Sequence, residues 1–171
     1  MKTAGIIVAI VVALALQTTI VRFVVSGTVA VDLVLVVVVY VALSSGSVPG
    51  LMTGTIAGLI QDSIQVSTGV IGIGGLAKSI VGFVTGLIGT QLNIAEPVAR
   101  FVVFFGATVV HQAITMGLGA VLGLRTFGVP YTSVAVEALG NAVVGVAAFQ
   151  LTELLPGAVE RRRMGRSRLR R

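Results

Sequence analysis

Six side chains able to do chemistry sit inside otherwise apolar stretches: Asp62, Lys78, His111, Gln112, Glu137 and Asn141. Asp62 and Lys78 could form an intramembrane ion pair, or a proton or ligand site. His111 has no second histidine to share a metal with, and there is no cysteine, so thiolate ligands, disulfides and cysteine nucleophiles are excluded. Gly72–Ser79 reads GIGGLAKS. It falls short of a P-loop because Ala77 stands where glycine must precede the lysine. It also fits G-x-G-x-x-A, but no strand–helix–strand unit surrounds it. Neither nucleotide reading survives. No Ser-His-Asp set, metal-ligand cluster or paired acid stands at usable spacing, so the expectation is a protein that is not an enzyme and needs no cofactor or metal.

The elements that must position these residues read as membrane helices. Of 171 residues, 56% are hydrophobic and 11% charged, and the mean hydropathy is +1.07. Ordinary soluble domains carry about 25% charged residues. The 22 glycines suit close helix packing in lipid. The net charge of +6 comes from one place. Through residue 157, Lys2, Arg22, Lys78, Arg100 and Arg125 balance Asp32, Asp62, Glu96, Glu137 and Glu153, so the excess lies in the arginines of 158–171. Beside a membrane span, such a run reads as a topology signal or a contact with anionic lipid rather than a nucleic-acid site.

Taken in order, the chain predicts an all-α integral membrane fold, a six-transmembrane-helix bundle with a short second span. The first helix covers about 4–24, with Arg22 able to snorkel. The second, 31–43, has an apolar core of only 11 residues, LVLVVVVYVAL. That is roughly 17 Å of helix against ~30 Å of hydrocarbon. Spans follow at 50–66, 70–91, 98–124 and 131–155, the last ended by Pro156-Gly157. The domain reading is a membrane domain over 1–157 and a basic, disordered cytoplasmic tail over 158–171. Six spans put both termini on one side, and the arginines make that side cytoplasmic.

Helical spacing then groups the polar residues. Gly50, Gly54 and Gly58 form one stripe that continues to Gln61 and Asp62; Gly75, Lys78, Gly82 and Gly86 form another on the next helix. Only Ser67-Thr68-Gly69 joins the two, so they form an antiparallel hairpin. Counted from Thr68, Asp62 lies about 9 Å deep and Lys78 about 15 Å at 1.5 Å per residue. A lysine can reach across that difference, so a structural Asp62–Lys78 tie is expected ahead of a proton or ligand site. His111, Gln112, Glu137 and Asn141 read as interhelical hydrogen bonding or the lining of a small polar cavity. Asn141 matches Thr115 in depth better than Glu137 matches His111.

The short apolar span beginning at Asp32, the run from Gly50 through GLIQDSI, and GIGGLAKSIVGFVTGLIG resemble the MreD family, the small integral-membrane component of the bacterial rod-shape system (the elongasome). The resemblance implies a non-catalytic scaffold in the cytoplasmic membrane. It implies a bitopic partner of the MreC kind, and through it the actin-like MreB and the peptidoglycan synthases. The family is similar in architecture to the six-helix substrate-binding subunits of energy-coupling-factor vitamin transporters, which supplies the alternative, a solute-binding transporter subunit. With no Trp, two Tyr and seven Phe, aromatic walls for a vitamin are scarce. The scaffold is the leading expectation.

Overall fold

In the computed structural model, the backbone is described for residues 3–23, 31–64, 72–91, 96–123 and 130–168, with side chains at 5–19, 31–64, 72–91, 96–123 and 130–154. The expected breaks at Ser26-Gly27 and Ser67-Thr68-Gly69 lie outside these residues, as does the Arg22 side chain. Six helices occupy the described chain: α1 Thr3–Phe23, α2 Leu33–Ser45, α3 Ser47–Ile64, α4 Ile73–Gln91, α5 Pro97–Val121 and α6 Tyr131–Arg168. Three segments are long and apolar enough to cross a membrane: Ile73–Gln91, Pro97–Val121 and Tyr131–Leu154. Gly5–Thr19 and Leu33–Ser45 are shorter apolar helices. α3 has 18 residues but carries Thr53, Thr55, Gln61, Asp62 and Ser63, and it is not among the candidate spans.

The shortest helix is the centre of the bundle. α2 has 13 residues, or ~20 Å at 1.5 Å per residue, and packs on all five others. Val34, Leu35, Val36, Val38, Val39, Val41 and Ala42 are buried, so both its sides are core. A helix apolar all round is stable only when enclosed. One cluster joins Leu35, Val36 and Val39 to Val81, Phe104, Ala107 and Ala142; another joins Val34 and Val38 to Ile10, Ala13 and Ala57. Asp32 caps the start, its Oδ1 accepting from the Leu35 amide at 3.0 Å. Gly46, at φ 98°, turns the chain at once into α3.

α3 and α4 form the tightest pair. A Cβ on Gly50 would lie 2.5 Å from the Gly82 carbonyl oxygen, and one on Gly58 2.5 Å from Gly75 Cα. At Gly54 it would run into the Lys78 backbone, at Gly82 into the Gly50 backbone, and at Gly86 into Ser47. The glycine stripes thus let two backbones touch where any side chain would hold them apart. α5 and α6 pair antiparallel on the other flank of α2.

One boundary differs from expectation. The sequence places the end of the last helix at Pro156-Gly157, whereas the helical backbone of α6 continues through them to Arg168. Pro and Gly lower helix propensity without forbidding the conformation, and Glu160 through Met164 are good helix formers.

Candidate functional site

The polar centre lies where the α2 N-terminus meets α4, α5 and α6. A helix that starts inside a bundle leaves its first amides without intrahelical partners. Three elements supply acceptors. Asp32 satisfies Leu35, Gln17 Oε1 of α1 accepts from the Val34 amide at 3.4 Å, and Asn141 Oδ1 of α6 accepts from the Asp32 amide at 2.9 Å. The other carboxylate oxygen of Asp32 lies 2.7 Å from Nζ of Lys78, and the two side chains are 10% and 3% exposed.

Lys78 makes a second contact, 3.2 Å to Nε2 of His111. An ammonium can only donate, so Nε2 accepts and the ring proton of a neutral imidazole sits on Nδ1. That Nδ1 is buried without a partner, as is Oε1 of Gln61. Asn141 completes the group by donating to Thr108 Oγ1 at 3.1 Å, and Thr108 donates to the Phe104 carbonyl at 2.9 Å. One helical turn away on the same faces, Gln112 Nε2 donates to Glu137 Oε2 at 2.5 Å. α5 and α6 are therefore joined by two successive polar rungs, 108–141 and 112–137.

The expected Asp62–Lys78 pair is not formed. Asp62 instead accepts from the amides of Gly72 at 2.9 Å and Gly75 at 3.2 Å. It fills the anion-seeking N-terminus of α4 with a carboxylate from the preceding helix. This also accounts for much of GIGGLAKS. Gly72 has φ +113°, and a Cβ on Gly74 would collide with the Asp62 carboxylate. Lys78 turns to the α2 side of α4, where Asp32 waits. Asn141 meets Thr108 rather than Thr115, whose hydroxyl bonds its own helix at the His111 carbonyl, 2.9 Å. Depth counted from a turn assumes two helices of equal height and no tilt, and the contact falls two turns from that count. His111 and Glu137 take different partners, Lys78 and Gln112.

At the other end of the same helix pair, Arg100 Nη2 meets Glu153 Oε1 at 2.5 Å and its guanidinium stacks 4.7 Å from the Phe149 ring centroid. Tyr40 of α2 joins there, 4.4 Å from Phe149 and donating to Thr152 at 3.1 Å. Sequence reasoning missed both this tie and the role of Asp32. The available signal for Asp32 was its position directly before an apolar run, the place of an N-cap.

Among the described residues, two ion pairs, Asp32–Lys78 and Arg100–Glu153, tie the bundle, while Asp62 is held by backbone amides and Glu137 by the neutral amide of Gln112. The described residues include no group of three or more His, Asp or Glu arranged to hold a metal. An open apolar groove of about 470 Å³ lies on the outside of the hairpin, between Leu51, Thr55 and Leu59 of α3 and Leu76, Ile80 and Phe83 of α4. At its side the Thr55 and Ser79 hydroxyls meet at 2.7 Å.

The profile of the rod shape-determining protein MreD matches residues 2–155 of the 171-residue chain. The chain belongs to the MreD family. No curated protein and no solved structure matched it. Membership carries a role in rod-shape determination and a place in a membrane, in agreement with the long apolar helices α4, α5 and α6. MreD is a shape-determining membrane family, not one known for catalysis. Its association is with the rod-shape complex. For this MreD-family chain, the buried Asp32–Lys78–His111 group is a junction of α2, α4 and α5 with Asn141 of α6 attached.

Proposed function

We propose that this MreD-family chain is a non-catalytic scaffold of the bacterial rod-shape complex, crossing the cytoplasmic membrane with six helices, both termini cytoplasmic. Its direct partner is a bitopic membrane protein of the MreC kind, and through it the chain acts on MreB and the peptidoglycan synthases. The membrane domain ends near 157, and the arginines beyond it meet anionic lipid. The observation that carries this reading is the family match over residues 2–155. The interior supports it, because Asp32, Lys78, His111, Thr108 and Asn141 bond to one another across four helices. The exterior supports it too, with large exposed side chains such as Val8, Val11, Ile80 and Val143 available to a partner's single helix. Mechanically this is positioning. Apolar surface of the partner is covered, and its orientation at the membrane is fixed.

The test is photocrosslinking in the native membrane from Val8, Ile80 and Val143, one on each exposed flank, with adducts identified by mass spectrometry. Capture of a bitopic rod-shape protein from at least one position is expected. Capture from none, in cells where the chain is abundant and shape is normal, would overturn the scaffold reading.

A further inference from the structure

The outer rung between α5 and α6 contains a group that a scaffold does not require. Glu137 is 8% exposed and lies in the candidate span Tyr131–Leu154. Among the described residues its one hydrogen-bond donor is the neutral amide of Gln112, and no cation stands within ion-pair distance. The charged and titratable groups around it are already committed. On α2 Asp32 holds Lys78 of α4, and on α5 His111 accepts from that same lysine. An ionised Glu137 would place an uncompensated charge in the bundle, one helical turn from the rung that holds Asp32. A carboxyl with one oxygen accepting from an amide and the other free to carry hydrogen needs no such compensation.

We propose that Glu137 is a proton-binding site within the membrane bundle. The ligand is a single hydrogen ion, held on Oε1 while Oε2 accepts from Gln112. Binding makes the α5–α6 rung neutral, and release would put a charge between two packed helices. The site is separate from the Asp32–Lys78 pair, which is internally neutral. It does not depend on the scaffold reading.

The experiment uses the full chain in membranes and dicyclohexylcarbodiimide, an apolar reagent that modifies protonated carboxyls buried in lipid. Digestion and mass spectrometry then compare Glu137 with Asp62, Glu153 and Asp32 of the same molecules. The expected result is a stable adduct at Glu137, absent from the other three. Its yield should fall about tenfold per pH unit once the medium is alkaline enough to remove the proton. Glu137→Gln keeps an amide contact with Gln112 and needs no proton; it should retain the fold and lose the protonated-carboxyl C=O stretch from the infrared spectrum. An unmodified Glu137 under conditions that label other membrane carboxyls would overturn the proposal. So would a yield that does not change with pH, or an infrared band that survives Glu137→Gln. The wild-type labelling and its pH profile decide the matter even if the variant fails to fold.

Discussion

Lys78 Nζ lies 2.7 Å from the Asp32 carboxylate, joining the fourth helix to the first residue before the second. The pair sits at the buried start of a helix too short to cross a bilayer by itself. Removing either partner leaves the other charge buried and unpaired, which costs about 3–5 kcal/mol, whereas replacing both with apolar groups of similar volume is often neutral. We therefore expect Asp32→Ala and Lys78→Ala each to lower thermal stability in detergent and abundance in membranes. Asp32→Leu combined with Lys78→Met should recover part of the loss, with the lost Leu35 cap and the freed His111 Nε2 accounting for the remainder. A double-mutant cycle with Asp62 and Lys78 should instead be additive to within about 0.5 kcal/mol. Strong coupling in the 62–78 cycle, with none in 32–78, would reverse the assignment.

Asp62 has its own expected cost. As acceptor for Gly72 and Gly75 it behaves like a helix cap supplied from the neighbouring helix. Asp62→Ala should cost about 0.5–2 kcal/mol, the range of lost caps. Asp62→Asn, which keeps an acceptor oxygen, should cost less. Unfolding midpoints for the two variants, measured beside Asp32→Ala, rank the roles. Equal losses at positions 32 and 62 would contradict the division between charge pairing and capping.

The glycines fall into two classes that substitution should separate by sign. A Cβ at Gly54 meets the Lys78 backbone, and backbone cannot move aside as a side-chain tip can. Gly54→Ala should therefore part α3 from α4 and destabilise by a few kcal/mol, as overpacking does. Gly106 lies in α5 with nothing within 4 Å of an added Cβ. There, Gly106→Ala should stabilise by about 0.5–1 kcal/mol through helix propensity alone. Melting temperatures of the two variants should move in opposite directions.

The sequence already carried the helices, the short second element, the glycine faces of the hairpin and the polar character of 111, 112, 137 and 141. Periodicity and composition act within a segment, and those features are local. It did not carry the partner of Lys78, because Asp32 lies 46 residues away in the chain and only tertiary packing brings the two together. Asp62 was nearer in sequence, but the free amides of Gly72 and Gly75 were nearer to it in space. The Asn141–Thr108 rung was missed for a related reason. Helix tilt and relative height are set by packing across α2, not by distance from a turn. The end of α6 was misplaced because Pro156-Gly157 is a probable stop signal and not an obligatory one.

The absence of cysteine makes orientation directly measurable. Single cysteines can be placed without a background thiol at Ser67, in the α3–α4 connection, and at Ser167, near the arginines. By the positive-inside rule, the arginine-rich end is expected on the cytoplasmic side. The proposed six crossings would put the 67–69 connection on the opposite side. Ser67→Cys should therefore react with a membrane-impermeant maleimide on intact cells, and Ser167→Cys only after the membrane is opened. Labelling of both from one side would mean an odd number of crossings between them is wrong, with α4, α5 and α6 not all spanning. Because α4, α5 and α6 are each long and apolar enough to cross, three crossings between the two sites is the expected count.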